Sequence, residues 1–322
     1  MKSSEILSRI LVVGGLLIAI SAPFVAKLVG AQGTIEMHGR MAESGGWAPD
    51  VIQAKTGVPL HLRLTSEDVT HGFAVGQSDI PAVDVLPGKM TDVTLTFDKP
   101  GTYTFYCTRW CGIYHWRMRG KIEVSGDEAA SSQSIGSPLY VTLNLDIDAL
   151  HPAAVTPVEI PDAQRGAQFS TLLPAGSLAP DYYRSHSPAQ TYLALRAEPA
   201  LAALSAVETW DLVAYIWQSN TTPGALAAGQ KIFAQNCAAC HGETGKGDGV
   251  FAAQTNALTG KSPAKFADPA SMLGASPALL QGKILRGGMG TGMPSWGPIL
   301  TDQQTWDVIS YLYTFQFKES NK

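Results

Sequence analysis

The sequence predicts a multidomain chain with one N-terminal transmembrane helix, then an all-β domain, then two all-α domains. Three observations predict it. A run of seventeen uncharged residues, Ile10–Ala26, stands between Lys2 and Arg9 on one side and Lys27 on the other, just long enough to span a bilayer. Short apolar runs of period two, separated by turn residues, fill positions 33–125. Beyond about residue 139 the apolar positions recur at helical spacing, and one helical pattern occurs twice. The 322 residues leave room for two or three ordinary domains. A hydrophobic fraction of 45% excludes a disordered chain. A net charge of −4 without any Lys/Arg cluster excludes a nucleic-acid-binding protein.

The anchor occupies residues 1–32. Lys2 and Arg9 place its start in the cytoplasm, and everything after about Gly30 outside it, on the periplasmic or extracytoplasmic side of the cytoplasmic membrane. A cleaved signal peptide ending near Val29-Gly30-Ala31 has the same basic start; the reading taken is a retained single-pass anchor.

Residues 33–125 carry the runs Val51–Lys55, Pro59–Leu64, Thr91–Phe97, Thr102–Cys107 and Lys121–Val124, separated by Thr56-Gly57, Pro87-Gly88 and Lys99-Pro100-Gly101. They predict a small antiparallel sandwich or barrel. Its chemistry lies in Cys107-Thr-Arg-Trp-Cys111-Gly-Ile-Tyr-His115-Trp-Arg-Met118, with His71 upstream in Asp68-Val-Thr-His71-Gly-Phe. A mononuclear blue-copper site needs one thiolate, and this loop offers two. Two thiolates four positions apart can bridge a pair of copper ions, with two imidazoles, a Met sulfur and a backbone carbonyl completing the ligands. A rigid, closed set of this kind suits electron transfer. A Cys107–Cys111 disulfide is the alternative. Trp110, Tyr114 and Trp116 lie in the same loop, either to carry electrons to a docked partner or to pack around the metal.

With Val85-Leu-Pro-Gly88 and Pro100-Gly101-Thr-Tyr-Thr-Phe-Tyr-Cys107, these residues resemble the dinuclear CuA domain of cytochrome c oxidase subunit II over about residues 45–125. The resemblance implies a cupredoxin-like fold in which Cys107 and Cys111 bridge the coppers. It implies further that His71 and His115 bind one copper each, Met118 one, and the Arg109 carbonyl the other. Many members carry an acidic residue where this chain has Arg109, which removes the side chain of an interface metal but not the carbonyl. A single N-terminal span resembles the shorter subunit II of B-type oxidases.

Residues 221–322 contain Cys237-Ala-Ala-Cys240-His241, the attachment pattern of heme c, in which two thiols add to the vinyl groups and the adjacent His ligates iron. A zinc knuckle needs a second ligand pair, which is missing from the sequence. Met293 is the expected distal ligand, in Gly292-Met293-Pro294, just before a helix opened by Thr301-x-x-Gln304. Met289 is the alternative, and Met272 is expected in the core. The arrangement resembles class I cytochromes c.

Residues 139–220, after a Ser/Ala/Gly-rich linker at 126–138, read as a degenerate copy. Ser205-Ala-Val-Glu208-Thr-Trp210-Asp-Leu-Val-Ala-Tyr215 parallels Thr301-Asp-Gln-Gln304-Thr-Trp306-Asp-Val-Ile-Ser-Tyr311 at an offset of 96 residues, and Ser187-Pro-Ala parallels Ser276-Pro-Ala at 89. The segment holds no Cys, which predicts a cytochrome-c-like domain without heme.

Two redox centres with no open metal position and no nucleophile–base pair describe a relay rather than a complete active site. By the resemblance the chain is subunit II of a respiratory heme-copper oxidase fused to cytochrome c. Electrons would pass from a donor, such as a cytochrome c, a small copper protein or a quinol-oxidising complex, to heme c and CuA. The membrane-embedded catalytic subunit I would then reduce oxygen. The alternatives are the electron-entry subunit of a CuA-type nitric oxide reductase and, from another class, a periplasmic copper-delivery protein. The remaining histidines, His38, His61, His151 and His186, are too few for the copper-sulfide site of nitrous oxide reductase.

Overall fold

The computed structural model describes residues 33–78, 80–112, 114–126, 137–288 and 290–318. The expected span Ile10–Ala26, most of the linker 126–138 and Met289 lie outside the described residues. Among the described residues no helix is long and apolar enough to cross a membrane.

Among the described residues nine strands form two sheets: β1 Ile35–Gly39, β2 Trp47–Ala48, β3 Val51–Lys55, β4 Leu60–Ser66, β5 His71–Val75, β6 Val83–Val85, β7 Thr91–Leu95, β8 Gly101–Tyr106 and β9 Arg119–Ser125. One sheet has the order β2-β1-β4-β7, the other β3-β9-β8-β5-β6. Alternation of buried and exposed residues in β3, β4 and β9 turns one face of each sheet inward. Met37, Leu60, Leu62, Leu64, Phe73, Phe105 and Ile122 fill the space between the sheets.

The expectation of a purely antiparallel sandwich needs correction, because β1 pairs with β4 and β3 with β9 in parallel. The chain leaves the first sheet after β2, runs through β3 in the second and returns as β4 alongside β1. Parallel neighbours always require such a crossover. β2, β5 and β6 are too short or too uniformly buried to show an alternating pattern.

Among the described residues the helices of ten residues or more are α1 Pro188–Ala197, α2 Ala206–Ser219, α3 Pro223–Asn236, α4 Pro277–Arg286 and α5 Asp302–Leu312. Each opens on a hydroxyl cap, Ser187, Ser205, Thr222, Ser276 and Thr301 in turn, accepting a backbone N–H of the first turn. The expected reciprocal boxes Ser205/Glu208 and Thr301/Gln304 are both formed.

Two helix crossings depend on glycine. Gly229 of α3 meets the backbone of α5, where an added Cβ would sit 2.1 Å from the Asp307 carbonyl oxygen. Gly166, in the short helix Ala163–Ala167, meets α2, where the same atom would sit 2.0 Å from the Asp211 carbonyl oxygen. Asp211 and Asp307 are related by the 96-residue offset. The buried apolar residues from Ile147 to Phe317 form one continuous core, in which Trp217 of α2 meets Tyr313 edge-on, centroids 5.7 Å apart.

The β-domain is fastened to the loops around α4 and α5. The Gln77 amide donates to the Ile299 carbonyl at 2.8 Å and its side chain to Gly297 at 2.7 Å. Arg119 donates to the Ser295 carbonyl at 2.8 Å while its guanidinium lies 5.5 Å over Trp296.

Candidate metal centre

The copper loop joins β8 to β9, so neighbouring strands hold its two ends. The Cys107 amide donates to the Met118 carbonyl at 3.0 Å and closes the loop on itself. His71 begins β5, the strand beside β8. Gly72 lets the loop approach: a Cβ there would lie 2.0 Å from Thr108 Oγ1, and the Gly72 amide instead points at Cys107 Sγ, 3.4 Å away.

All six expected ligand positions converge. Cys107 Sγ lies 3.9 Å from Cys111 Sγ, 3.8 Å from His71 Nδ1 and 3.1 Å from the Arg109 carbonyl oxygen. Cys111 Sγ lies 3.6 Å from His115 Nδ1 and 3.2 Å from Met118 Sδ. Both cysteines are free thiols, so the disulfide alternative is not realised. His71, Cys107 and Met118 are buried, and the ligand atoms of His71, Cys107 and Cys111 lie within 4.8 Å of one another. The Arg109 side chain turns away into a two-pronged ion pair with Asp84, at 2.8 and 2.9 Å, leaving only its carbonyl in the site. Soft sulfurs with imidazole nitrogens in a buried pocket fit copper.

The structure brings to the site Asp68, which the ligand spacing does not reveal. Its carboxylate pairs with His71 Nε2 at 2.7 Å, so His71 faces the sulfurs through Nδ1. Asp68 is itself held by the Met41 amide at 2.6 Å and the Val69 amide at 2.7 Å. A carboxylate behind a ligating imidazole sets its tautomer and orientation. The available signal was the three-residue spacing to His71.

Electrostatics split the two thiols. The Cys107 pKa is lowered, first by the hydrogen bond from the Cys111 thiol and then by His115 and His71, against burial. Cys111 is raised, first because its proton is shared with Cys107 and then by burial. The pair gives up one proton readily and holds the second. Burial works to lower the pKa of His71, but Cys107 and Asp68 outweigh it and the value is raised.

Tyr114 and Trp116 lie against the Arg117 guanidinium, at 5.5 and 5.9 Å. Trp110 instead packs on the His115 ring at 5.1 Å and stacks on Phe251 of the helical region at 3.7 Å.

The second candidate centre lies at the end of α3. Cys237 and Cys240 are free thiols, both raised by burial, Cys237 to about 12. His241 Nδ1 donates to the Ala264 carbonyl at 3.0 Å, which leaves Nε2 as the ligand atom, and its ring stacks on Phe266 at 4.6 Å. Burial lowers the His241 pKa, favouring the neutral imidazole that binds metal. Met293 is half-buried against the core, whereas Met272 is 3% exposed within it. Two thiols, an oriented neutral imidazole and a thioether on an irregular loop fit a covalently attached heme.

The other histidines have local partners: His38 with Glu67, His61 with Thr94, His151 with the Asp146 carbonyl and His186 stacked on Tyr182.

Comparison with known proteins agrees with this division. Residues 49–125 match the periplasmic domain of cytochrome c oxidase subunit II, and residues 226–316 match cytochrome c. Cytochrome c oxidase subunit 2 of Thermus thermophilus is 39% identical over 84 residues, 26% of this chain and 62% of that protein. A nitrous-oxide reductase of Ralstonia nicotianae is 40% identical over 77 residues, 23% of this chain and 12% of that protein. The chain therefore spans less than two thirds of the length of either relative. Among solved structures, a chain from a heme-copper terminal oxidase dimer is 24% identical, covering 38% of this chain and 98% of its own length at a TM-score of 0.26. The periplasmic domain of subunit II of cytochrome oxidase from Bradyrhizobium japonicum is 20% identical, covering 30% and 86%, also at 0.26. The chain thus joins a domain of the cytochrome c oxidase subunit II periplasmic family, residues 49–125, to a cytochrome c domain, residues 226–316.

Proposed function

We propose that this protein is the electron-transfer subunit of a respiratory heme-copper oxidase, taking electrons at heme c and passing them through a dinuclear copper centre to a membrane-embedded catalytic subunit. The observation that carries the reading is the closed ligand set at Cys107, Cys111, His71, His115, Met118 and the Arg109 carbonyl, joined in one chain to the Cys237–His241 attachment motif. When bound, the copper pair and the heme each supply a one-electron redox couple. The chain's own residues supply rigidity. The 107–118 loop is closed by the hydrogen bond between Cys107 and Met118, His71 is set by Asp68, and His241 by the Ala264 carbonyl. Such second-partner contacts limit rearrangement of the ligands between redox states. Fusion keeps the two centres at high effective concentration, so transfer between them needs no diffusional encounter.

In this reading Ile10–Ala26 anchors the chain in the cytoplasmic membrane, with the β-domain and helices on its outer side. The partner is the catalytic subunit of the oxidase, and the donor a soluble cytochrome c, a small copper protein or a quinol-oxidising complex. Residues 139–220 form a cytochrome-c-like unit without heme that serves as spacer or docking surface. The matching Gly166–Asp211 and Gly229–Asp307 crossings and the absence of Cys from this segment support that reading.

Optical and electron paramagnetic resonance spectra of the chain loaded with copper and heme test the function. The expected result is a copper hyperfine pattern spread over two equivalent nuclei, a near-infrared copper band, and one low-spin heme c per chain. A mononuclear copper pattern, or copper readily lost to a chelator, would replace the relay with a copper-delivery role. Two hemes per chain would overturn the heme-free middle segment.

A further inference from the structure

The two centres meet at one aromatic contact that neither ligand set requires. Trp110 sits between the bridging residues of the copper loop, covalently next to Cys111, and its ring packs on that of His115 at 5.1 Å. The same ring stacks on Phe251, with centroids 3.7 Å apart and planes inclined by 22°. Phe251 belongs to the loop that wraps the heme-attachment segment. Its amide donates at 2.9 Å to the carbonyl of Ala239, which lies between Cys237 and Cys240. Two residues earlier, the Gly249 amide donates to the Cys240 carbonyl at 3.2 Å, and a Cβ there would come within 2.4 Å of the Ala239 oxygen. The chain from attachment loop to copper ligand is therefore one hydrogen bond, one ring stack and one ring contact.

The other contacts between the domains argue against a purely structural purpose. The domains are already held together elsewhere, by Gln77 on Gly297 and Ile299 and by Arg119 on Ser295 and Trp296. Loss of the stack would leave those fastenings in place.

We propose that the Trp110–Phe251 stack is the contact that couples the copper loop to the heme-attachment loop, with Trp110 a positioning residue for electron transfer between them. The inference rests on the relay reading above. In the step concerned one electron leaves the reduced heme iron, which becomes ferric, and enters the oxidised copper pair, which becomes reduced by one electron. No proton moves and no bond is made or broken.

The test uses the full chain loaded with copper and heme. The heme is photoreduced with a ruthenium complex, and its reoxidation is followed together with the near-infrared copper band. Trp110→Ala and Phe251→Ala are expected to slow heme-to-copper transfer by about tenfold or more, with both midpoint potentials and the copper hyperfine pattern unchanged. Trp110→Phe keeps a stacking ring and is expected to hold the rate within about twofold of the parent. The proposal is overturned if Trp110→Ala transfers at the parent rate, or if Trp110→Phe is as slow as Trp110→Ala. It is also overturned if Trp110→Ala changes the copper spectrum, which would make the ring a support for the ligands. A parent protein with both centres loaded but no transfer between them would instead refute the relay itself.

Discussion

The paired glycine crossings allow a test of the helical architecture by a single methyl group. In Gly229→Ala the new carbon would lie 2.1 Å from the Asp307 oxygen, 2.6 Å from its carbonyl carbon and 2.9 Å from Tyr311 Cβ, where ordinary contact begins at 3.4 Å. Two of these three atoms are backbone, so a change of rotamer gives no relief and α3 must move off α5 by about 1 Å. Overpacking of this kind costs about 1–3 kcal/mol, and here the upper part of that range applies because the two shortest contacts are to the Asp307 backbone, which cannot give way as a side chain can. Alanine recovers about 1 kcal/mol of helix propensity, leaving a net loss of about 2 kcal/mol. For a cooperative unit of this size that lowers Tm by about 4–8 °C. Gly166→Ala faces the Asp211 carbonyl oxygen and carbon at 2.0 Å and 2.4 Å and the Leu212 amide nitrogen at 2.8 Å and should lose as much, although no heme lies near it in the proposed function. Gly224→Ala is the control: this glycine is exposed in α3, its nearest atom is 3.9 Å away, and the substitution should be neutral or stabilising by up to about 1 kcal/mol. Thermal and urea unfolding of the heme-loaded chain, followed by far-ultraviolet circular dichroism, reads all three. If Gly229→Ala or Gly166→Ala is as stable as the Gly224→Ala control, the close crossings are not present.

Asp68→Asn should weaken copper retention by about 10–100-fold, since it removes the carboxylate that orients His71. Competition against a graded series of chelators measures this, and unchanged affinity would show that His71 is set without it. Met293→Leu should lower the heme midpoint potential, because a thioether ligand raises it, whereas Met272→Leu, in the core, should not. Spectroelectrochemical titration separates the two, and a shift confined to Met272→Leu would exchange their roles. The ion pair of Asp148 with Arg286, at 2.8 Å through one guanidinium nitrogen, ties the segment before α1 to the end of α4. The hydrogen bond from Arg286 holds the Asp148 pKa below its ordinary value, so the contribution to stability is present above the unfolded carboxylate pKa of about 4. It is lost as pH falls through the lower folded value. Urea midpoints of the parent should therefore drop between neutral and strongly acidic pH by more than those of Asp148→Asn, and equal drops would refute the linkage.

What could be read from the residues alone was whatever is written in short spacings. The copper ligands from Cys107 to Met118 fall within one loop, and the heme-attachment motif within five residues; bonding geometry at that range is nearly independent of the rest of the fold. Helix starts were legible for the same reason, since the Ser205/Glu208 and Thr301/Gln304 boxes depend on three intervening bonds of chain rather than on distant packing. His71 was picked out by its own upstream motif and received its ligand role from the resemblance, and its carboxylate partner Asp68 needed the tertiary structure to show which way the imidazole faces. The parallel pairs β1–β4 and β3–β9 were beyond reach because strand alternation reports which face is buried and says nothing about the direction of the neighbour. The single core shared by the two helical segments, and the stack of Trp110 on Phe251, were decided only in three dimensions. A ring on one loop meets a ring on another far along the chain because both domains are fastened at Gln77 and Arg119, and no local pattern records a contact that depends on how two finished surfaces fit.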